Sequence, residues 1–162
     1  MKTIIKFCVS CVSFCLILAT WFQTSILVTP FNPRIPEEIE VNKITEFFKI
    51  QTTLAQEIVE ISKEEGLPPA LIAALIFTES SFRPNAISSK NYYGLTQIPW
   101  RIPYQDINIR LGIRILKEKL RITDGDLPKA IQLYKGYQLE DPRGQEQARK
   151  VIRLMKQLET YK

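Results

Sequence analysis

The segment ALIFTESSFRPNAISSKNYYGLTQIPW, from Ala74 to Trp100, changes character at a single acidic residue, Glu79. The apolar run before Glu79 begins at Pro69 and is apolar nearly all round, which predicts a helix over 69–81 that lies in a protein core. The part after Glu79 is rich in Ser, Asn and Tyr and has no sustained period. We therefore predict loops over 85–103, with a short strand or hairpin over 92–98.

Glu79 is the residue of this segment with the clearest chemical potential. No other acidic residue follows it until Asp106. The residues three, four and seven positions earlier share its helical face and are apolar. Such surroundings favour the neutral form of a carboxyl group, as a general acid requires. The alternative is a helix-end glutamate that faces solvent or pairs with Arg83, and the spacing alone leaves both readings open.

Two further helices are predicted on either side of this segment. Between Ile44 and Glu65 apolar residues recur at three- and four-residue steps, which predicts one amphipathic helix. The segment from Asp106 to Leu120 fits a strand, because apolar residues alternate, or a helix with Asp106 available as a cap. Its length favours the helix.

The C-terminal part is also predicted to be helical. Asp126 and Pro128 mark the start of a short helix that carries Tyr134. An amphipathic helix follows over 145–161. The folded part of the chain is therefore expected to be mainly α.

Composition excludes several kinds of site. Histidine is absent, which removes His-based metal sites, Ser-His-Asp triads and Cys-His pairs. The three cysteines, Cys8, Cys11 and Cys15, lie within an apolar run, where small apolar residues explain them better than a redox or metal pair. No carboxylate cluster has the spacing of a calcium loop. We expect no metal and no cofactor.

The N-terminus predicts membrane attachment. Residues 7–28 carry no charge and follow Lys2 and Lys6, as in an anchor that leaves its N-terminus in the cytoplasm. A cleavable signal peptide is the alternative, but its apolar core is usually shorter and ends at a small-residue cleavage site. We therefore divide the chain into an anchor or signal over 1–28, an extended Pro-rich tether over 29–43 and a folded domain over 44–162. The net charge of +5 is not arranged as a basic run interleaved with aromatics, so no nucleic-acid partner is predicted.

The segment after Glu79 resembles the catalytic motif of the lytic transglycosylases of the soluble, goose-type-lysozyme-like family. That motif reads E-S-x-F-x-P-x-A-x-S, then a short insert, then G-L-M-Q. The matching residues are Glu79, Ser80, Phe82, Pro84, Ala86, Ser88, Gly94, Leu95 and Gln97. NIRLGIRIL, from Asn108, and AIQLYKGY, from Ala130, resemble two later family segments, so the resemblance covers about residues 52–160. It implies a mainly α, lysozyme-like domain of the α+β superfamily and a helix for the ambiguous segment.

The resemblance also implies roles for individual residues. Glu79 would be the acid and then the base. Tyr134 would orient Glu79 or hydrogen-bond near it. Ser88 and Gln97 would help to hold the substrate sugar, and Gly94 would let the backbone pass close to the glycan.

Four positions depart from the family pattern. Thr96 replaces Met, Ile115 replaces Tyr, Lys135 replaces Asn and Tyr137 replaces Gly. We expect these residues to line or border the groove. They leave Glu79 in place but bear on affinity and on the preferred glycan.

The function implied is that of a peptidoglycan lytic transglycosylase. It would cleave the β-1,4 bond between N-acetylmuramic acid and N-acetylglucosamine and leave 1,6-anhydromuramoyl ends. Most glycosidases use two carboxyl groups, whereas a single one here favours a substrate-assisted route. The chain would act in the periplasm from the bacterial inner membrane, or after secretion if a signal is cleaved, with any envelope-assembly or secretion partner unspecified.

Two alternative functions remain. A hydrolytic muramidase of lysozyme or endolysin type would need a second carboxyl group from elsewhere in the chain. A non-catalytic peptidoglycan-binding or assembly protein would keep the groove without turnover, and Lys135 and Tyr137 are its best support.

Overall fold

The computed structural model describes residues 35–162, which form six helices and one long loop over 81–104. The helices are α1 (Ile35–Phe48), α2 (Thr52–Glu64), α3 (Pro69–Ser80), α4 (Gln105–Ile122), α5 (Leu127–Tyr134) and α6 (Pro142–Thr160). Within this part of the chain, β-type pairing is limited to isolated antiparallel bridges from Tyr93 to Ile87 and to Ile98. The mainly α prediction is confirmed, and the expected hairpin is reduced to these two bridges.

The predicted membrane anchor over 7–28 lies outside the described residues. Of the six helices over 35–162, none has the length and apolar character needed to cross a membrane.

α3 forms the centre of the core, as its sequence predicts. It packs against α1, α2 and α6, and Ile72, Ala73 and Ile76 are fully buried. Pro69 occupies the first helical position, where the missing N–H group costs no hydrogen bond. Ser81 ends the helix in the left-handed conformation, with φ of +53°. The helix is apolar on all sides because it is surrounded by other helices.

The N-terminal part differs from the prediction in two respects. The single helix predicted between Ile44 and Glu65 is wrong, because the chain turns after Phe48 and Lys49 has φ of +56°. Apolar periodicity continues across this turn and therefore hides it. The extended conformation predicted for the tether is also wrong over 35–43, which belongs to α1, while residues 29–34 lie outside the described part.

The helical conformation of this tether segment has a local cause. Pro36 lies in the first turn of α1, where proline is tolerated. Glu37 and Glu38 follow in the same turn, and negative charge is favourable there because the N-terminal end of a helix carries a partial positive charge. Val41 and Ile44 are then buried against the rest of the domain. The proline that suggested an extended tether therefore starts a helix.

The helices predicted in the C-terminal half are confirmed. Asp126 caps α5 by accepting a hydrogen bond from the Lys129 backbone N–H at 3.1 Å. Asp141 caps α6 in the same way. The predicted cap of α4 is wrong, because Tyr104 is the N-cap and Asp106 lies in the first turn of the helix, where it still complements the helix dipole.

α4 approaches the long loop closely at Gly112. A Cβ atom on Gly112 would lie 2.5 Å from the Cβ of Thr96, which is buried. No rotamer change relieves a contact with a Cβ atom, so only glycine fits here without movement of the loop or the helix.

We therefore expect Gly112→Ala to lower the free energy of unfolding by about 1–3 kcal/mol, because overpacking outweighs the gain of about 1 kcal/mol that Ala gives in a helix. Urea unfolding of the full-length protein in mild detergent measures this change. Lys150→Ala, at an exposed position of α6, is the control and should stay within about 0.5 kcal/mol of the wild type. An unchanged or more stable Gly112→Ala protein would contradict the close packing.

Candidate active site

Glu79 lies in the last turn of α3 and is mostly buried. Its side chain is 15% exposed, and its Oε1 atom forms an ion pair with Lys135 Nζ at 2.6 Å. Within residues 35–162, Oε2 accepts no hydrogen bond. Arg83 does not pair with Glu79 but donates from Nε to the Ser80 carbonyl at 3.0 Å. One carboxylate oxygen is therefore held, and the other remains available to a ligand.

Lys135 is the partner that sequence reasoning missed. It follows the last residue of α5, and its side chain is only 6% exposed. Its Nζ atom also donates to Thr78 Oγ1 at 3.0 Å, so it binds two consecutive residues of α3. The sequence marks Lys135 as a departure from the family pattern, but 56 positions separate it from Glu79 and no local pattern connects them.

Tyr134 lies near Glu79 and donates its hydrogen bond elsewhere. Its hydroxyl group donates to the Thr96 carbonyl at 2.6 Å, which connects the end of α5 to the long loop. Burial raises the pKa of Tyr134 far above the usual tyrosine value, and the negative charge of Glu79 raises it further. Tyr134 is therefore a neutral anchor for the loop beside Glu79, and the direct hydrogen bond to the carboxylate is not observed.

Asn108 connects the same loop to α4. Its Oδ1 atom accepts hydrogen bonds from the Thr96 backbone N–H at 3.0 Å and from Thr96 Oγ1 at 2.9 Å, while Nδ2 donates to the Tyr93 carbonyl. Gly94 has φ of +81°, and a Cβ atom there would overlap the Asn108 side chain. Glycine is thus required at 94 by the packing of Asn108, and its contact with a glycan stays a prediction.

Ser88 and Gln97 stabilise the loop from within. Ser88 Oγ accepts the Tyr92 backbone N–H at 3.0 Å. Gln97 Nε2 donates to the carbonyl oxygens of Gly94, at 2.9 Å, and Ala86, at 3.2 Å. Both side chains shape the segment between α3 and α4, and their binding of a sugar stays a prediction.

The four departures from the family pattern have different positions. Thr96 is buried against Gly112, so its side chain does not line a surface groove, and the expectation that it borders the glycan groove stays a prediction. Tyr137 packs on Gly144, where an added Cβ would lie 2.5 Å from the tyrosine Cβ. Ile115 is partly buried on α4. Lys135 is the departure that contacts Glu79.

A surface pocket of about 560 Å³ lies beside the long loop. Gly94, Arg101 and Asn108 are among its lining residues, and Glu79 is not. The pocket and the Glu79–Lys135 ion pair are therefore separate. The loop segment from Gly94 to Thr96 lies between them, because Gly94 lines the pocket and Thr96 is bonded to Tyr134, the residue before Lys135.

Comparison with protein families identifies the segment that contains α3, Glu79 and most of the long loop. Residues 56–100 match the transglycosylase SLT domain. The resemblance predicted from the sequence is thereby confirmed over these residues, and the match supports a lytic transglycosylase catalytic domain and, in general terms, a peptidoglycan-cleaving function. Asn108, Tyr134 and Lys135 lie beyond the matched segment. No curated protein matches the chain.

We expect Tyr134→Phe to lower the free energy of unfolding by about 1–3 kcal/mol at pH 8, because it leaves the Thr96 carbonyl without this donor. The difference in the free energy of unfolding between wild type and Tyr134→Phe should become smaller above about pH 10. There an unfolded tyrosine releases its proton, while the folded protein keeps it, so wild-type stability falls as pH rises.

Urea unfolding of both proteins at several pH values between 8 and 11 tests this expectation. Tyr104→Phe changes a 64% exposed tyrosine and serves as the control, with a change within about 0.5 kcal/mol at pH 8. Equal stability of Tyr134→Phe and wild type at pH 8 would show that the hydroxyl does not hold the loop.

Proposed function

We propose that the protein is a peptidoglycan lytic transglycosylase in which Glu79 acts first as the acid and then as the base. The observation that carries the proposal is the position of Glu79 inside the SLT match, at the end of a buried helix, with one carboxylate oxygen that accepts no hydrogen bond from residues 35–162. Ligand atoms can therefore approach this oxygen without breaking a helix or loop contact.

The proposed reaction needs a proton donor and a proton acceptor at one place. Protonated Glu79 gives its proton to the glycosidic oxygen while the bond from N-acetylmuramic acid to N-acetylglucosamine breaks. The N-acetyl group of the muramic acid stabilises the cleaved centre, as in substrate-assisted glycosidases. The carboxylate then takes the proton of the C6 hydroxyl, and O6 closes on C1 to give the 1,6-anhydro end.

The surroundings of Glu79 support a mechanism with one carboxyl group. The long loop over 81–104 contains no Asp or Glu. Asp106, the next acid along the chain, is exposed in the first turn of α4. Hydrolytic glycosidases use a second carboxyl group as nucleophile or base, and this loop supplies none.

A second candidate function is favoured by the ion pair itself. Lys135 Nζ lies 2.6 Å from Oε1 of Glu79 and forms a buried salt bridge with this carboxyl group. A protein that binds peptidoglycan and never cleaves it would tolerate this arrangement. Turnover measurements separate the two functions.

We also propose that the protein acts at the outer face of a bacterial inner membrane. The uncharged segment over 7–28 and the two lysines before it support an anchor with a cytoplasmic N-terminus. Such an anchor would confine cleavage to the wall nearest the membrane.

Mass analysis of muropeptides released from purified sacculi tests the reaction. The full-length protein in mild detergent should release fragments with 1,6-anhydro ends, and Glu79→Gln should reduce the rate by about 100-fold or more, because an amide supplies neither the acid nor the base. Glu140→Gln, at an exposed position, should retain the wild-type rate.

Each other result of this experiment has a specific meaning. Reducing ends that depend on Glu79 would identify a hydrolytic muramidase. Sedimentation of the folded protein with sacculi, without release by wild type or by Glu79→Gln, would identify the binding protein and reject the transglycosylase.

Cell fractionation tests the location. We expect the protein in the membrane fraction, from which detergent extracts it and salt does not. Added protease should digest its C-terminal domain in spheroplasts and should not digest it in intact cells. A soluble periplasmic or secreted protein that lacks about the first 28 residues would instead indicate a cleaved signal.

A further inference from the structure

The Glu79–Lys135 pair differs from the other ion pairs of residues 35–162 in its burial. Its side chains are 15% and 6% exposed. In each of the other pairs at least one side chain is 40% exposed or more. Removing two charges from water is unfavourable, and well-packed apolar residues in place of a buried ion pair often give equal or greater stability. Stability alone therefore gives little reason for a lysine at 135.

The position of the ammonium group is fixed from both sides of the site. α5 is capped at Asp126 and ends at Tyr134, whose hydroxyl group is bonded to the Thr96 carbonyl. Lys135 follows directly, and Thr78 Oγ1 accepts a second hydrogen bond from Nζ. The ammonium therefore remains next to Glu79 through contacts that do not depend on Glu79.

A resting ion pair raises a question for the proposed reaction. The acid step needs a proton on Glu79, whereas the salt bridge to Lys135 is the contact that a carboxylate and an ammonium group make. The nearest proton lies on Nζ, 2.6 Å from Oε1, within a hydrogen bond that already joins donor and acceptor. Transfer along this bond turns two charges into two neutral groups.

We propose that Lys135 is the proton source for Glu79, so that the buried pair and not the carboxyl group alone forms the acid of the site. This inference rests on the proposed transglycosylase function and assigns the origin of its proton. Binding of a glycan strand excludes water from the pair, and loss of hydration disfavours both charges. The neutral carboxyl group consequently forms when substrate covers the site.

The protons balance through one cycle. An N–H bond of Lys135 breaks and an O–H bond forms on Glu79, while Thr78 Oγ1 holds the neutral amine. The carboxyl proton passes to the leaving glycosidic oxygen as the C1–O bond breaks. The carboxylate then receives the proton of the C6 hydroxyl as O6 bonds to C1. When product leaves, this proton returns to Lys135 and the ion pair is restored.

Two further ionisable groups among residues 35–162 need to be considered beside this pair. Tyr134 senses the charge of Glu79, and its raised pKa keeps it neutral across the pH range of the assay. Arg83, in the long loop just after α3, donates to the Ser80 carbonyl and keeps its charge at all these pH values. A change of pH profile on substitution of Lys135 therefore reports on the pair.

Two substitutions separate a proton source from a positive charge. Lys135→Asn places the family's residue beside Glu79 and removes the stored proton. Lys135→Arg keeps a positive charge and several N–H donors, but a guanidinium group does not give up its proton in proteins. Lys150→Asn, at an exposed position of α6, is the matched control.

The experiment measures kcat/KM for release of anhydro fragments between pH 5 and 8, with the full-length proteins in mild detergent. Lys135→Asn should work best at acid pH, and the ratio of wild type to variant should rise by about tenfold per pH unit, as for a lone carboxyl group above its pKa. Lys135→Arg should be at least about 100-fold slower than wild type at pH 7, and Lys150→Asn should follow wild type.

Several results would overturn the inference. Wild-type activity in Lys135→Arg would mean that the positive charge alone matters. If Lys135→Asn has the pH profile of the wild type and an equal or higher kcat/KM, the ion pair either has no role in catalysis or inhibits it. In both cases Glu79-dependent anhydro ends would still uphold the proposed function, whereas absence of turnover by wild type would reject both proposals. Thermal melting and sedimentation with sacculi verify folding, and if one variant fails to fold the other decides.

Discussion

The side chain of Asn108 is the contact on which the architecture of the site depends. It joins α4 to the long loop through the backbone and hydroxyl group of Thr96 and through the Tyr93 carbonyl. The backbone N–H and C=O groups of this loop are not paired in a sheet, so other groups must form hydrogen bonds with them. The buried amide of Asn108, which offers both a donor and an acceptor, does this for two loop residues. Gly94 and Gly112 are the positions where loop and helix come close enough for this contact.

The loop is in turn bonded to the C-terminal end of α5. Tyr134 donates to the carbonyl of Thr96, the residue whose N–H group and hydroxyl group bind Asn108. Lys135 is the next residue, and it reaches α3 at Thr78 and Glu79. Three segments distant in the sequence are thus connected through one loop residue. A substitution at Thr96 would therefore alter the position of Lys135 beside the Glu79 carboxylate, although Thr96 does not contact that carboxylate.

The sequence predicts those features that depend on local pattern. α3 follows from an apolar run without a polar face, and α5 from Asp126 and Pro128 at its start. Two errors arise where local rules conflict. Periodicity continues through the turn at Lys49, and Pro36 is equally compatible with an extended tether and with the first turn of a helix. Burial of Val41 and Ile44 decides the second case, and burial is a tertiary property.

The motif of the candidate site could be predicted from the sequence, but the ion pair between Glu79 and Lys135 could not. Glu79 is identified by the residues that follow it, whereas Lys135 is connected to it only by the fold. Gln97 and Gly94 match the family pattern, yet their observed contacts hold the loop together. A motif therefore names residues that a family needs without separating those that build a surface from those that touch a ligand.

The backbone of the long loop has a consequence for binding. Ser81, Phe82, Asn91 and Gln97 all have positive φ, a conformation that residues other than glycine adopt at a cost of order 1 kcal/mol or more each. Such a backbone persists because Asn108, Tyr134 and the loop's own hydrogen bonds hold it. The conformational entropy of the loop is consequently lost when the chain folds and not when a ligand arrives. A ligand that binds there meets a preorganised surface, and its affinity is not reduced by the need to order the protein.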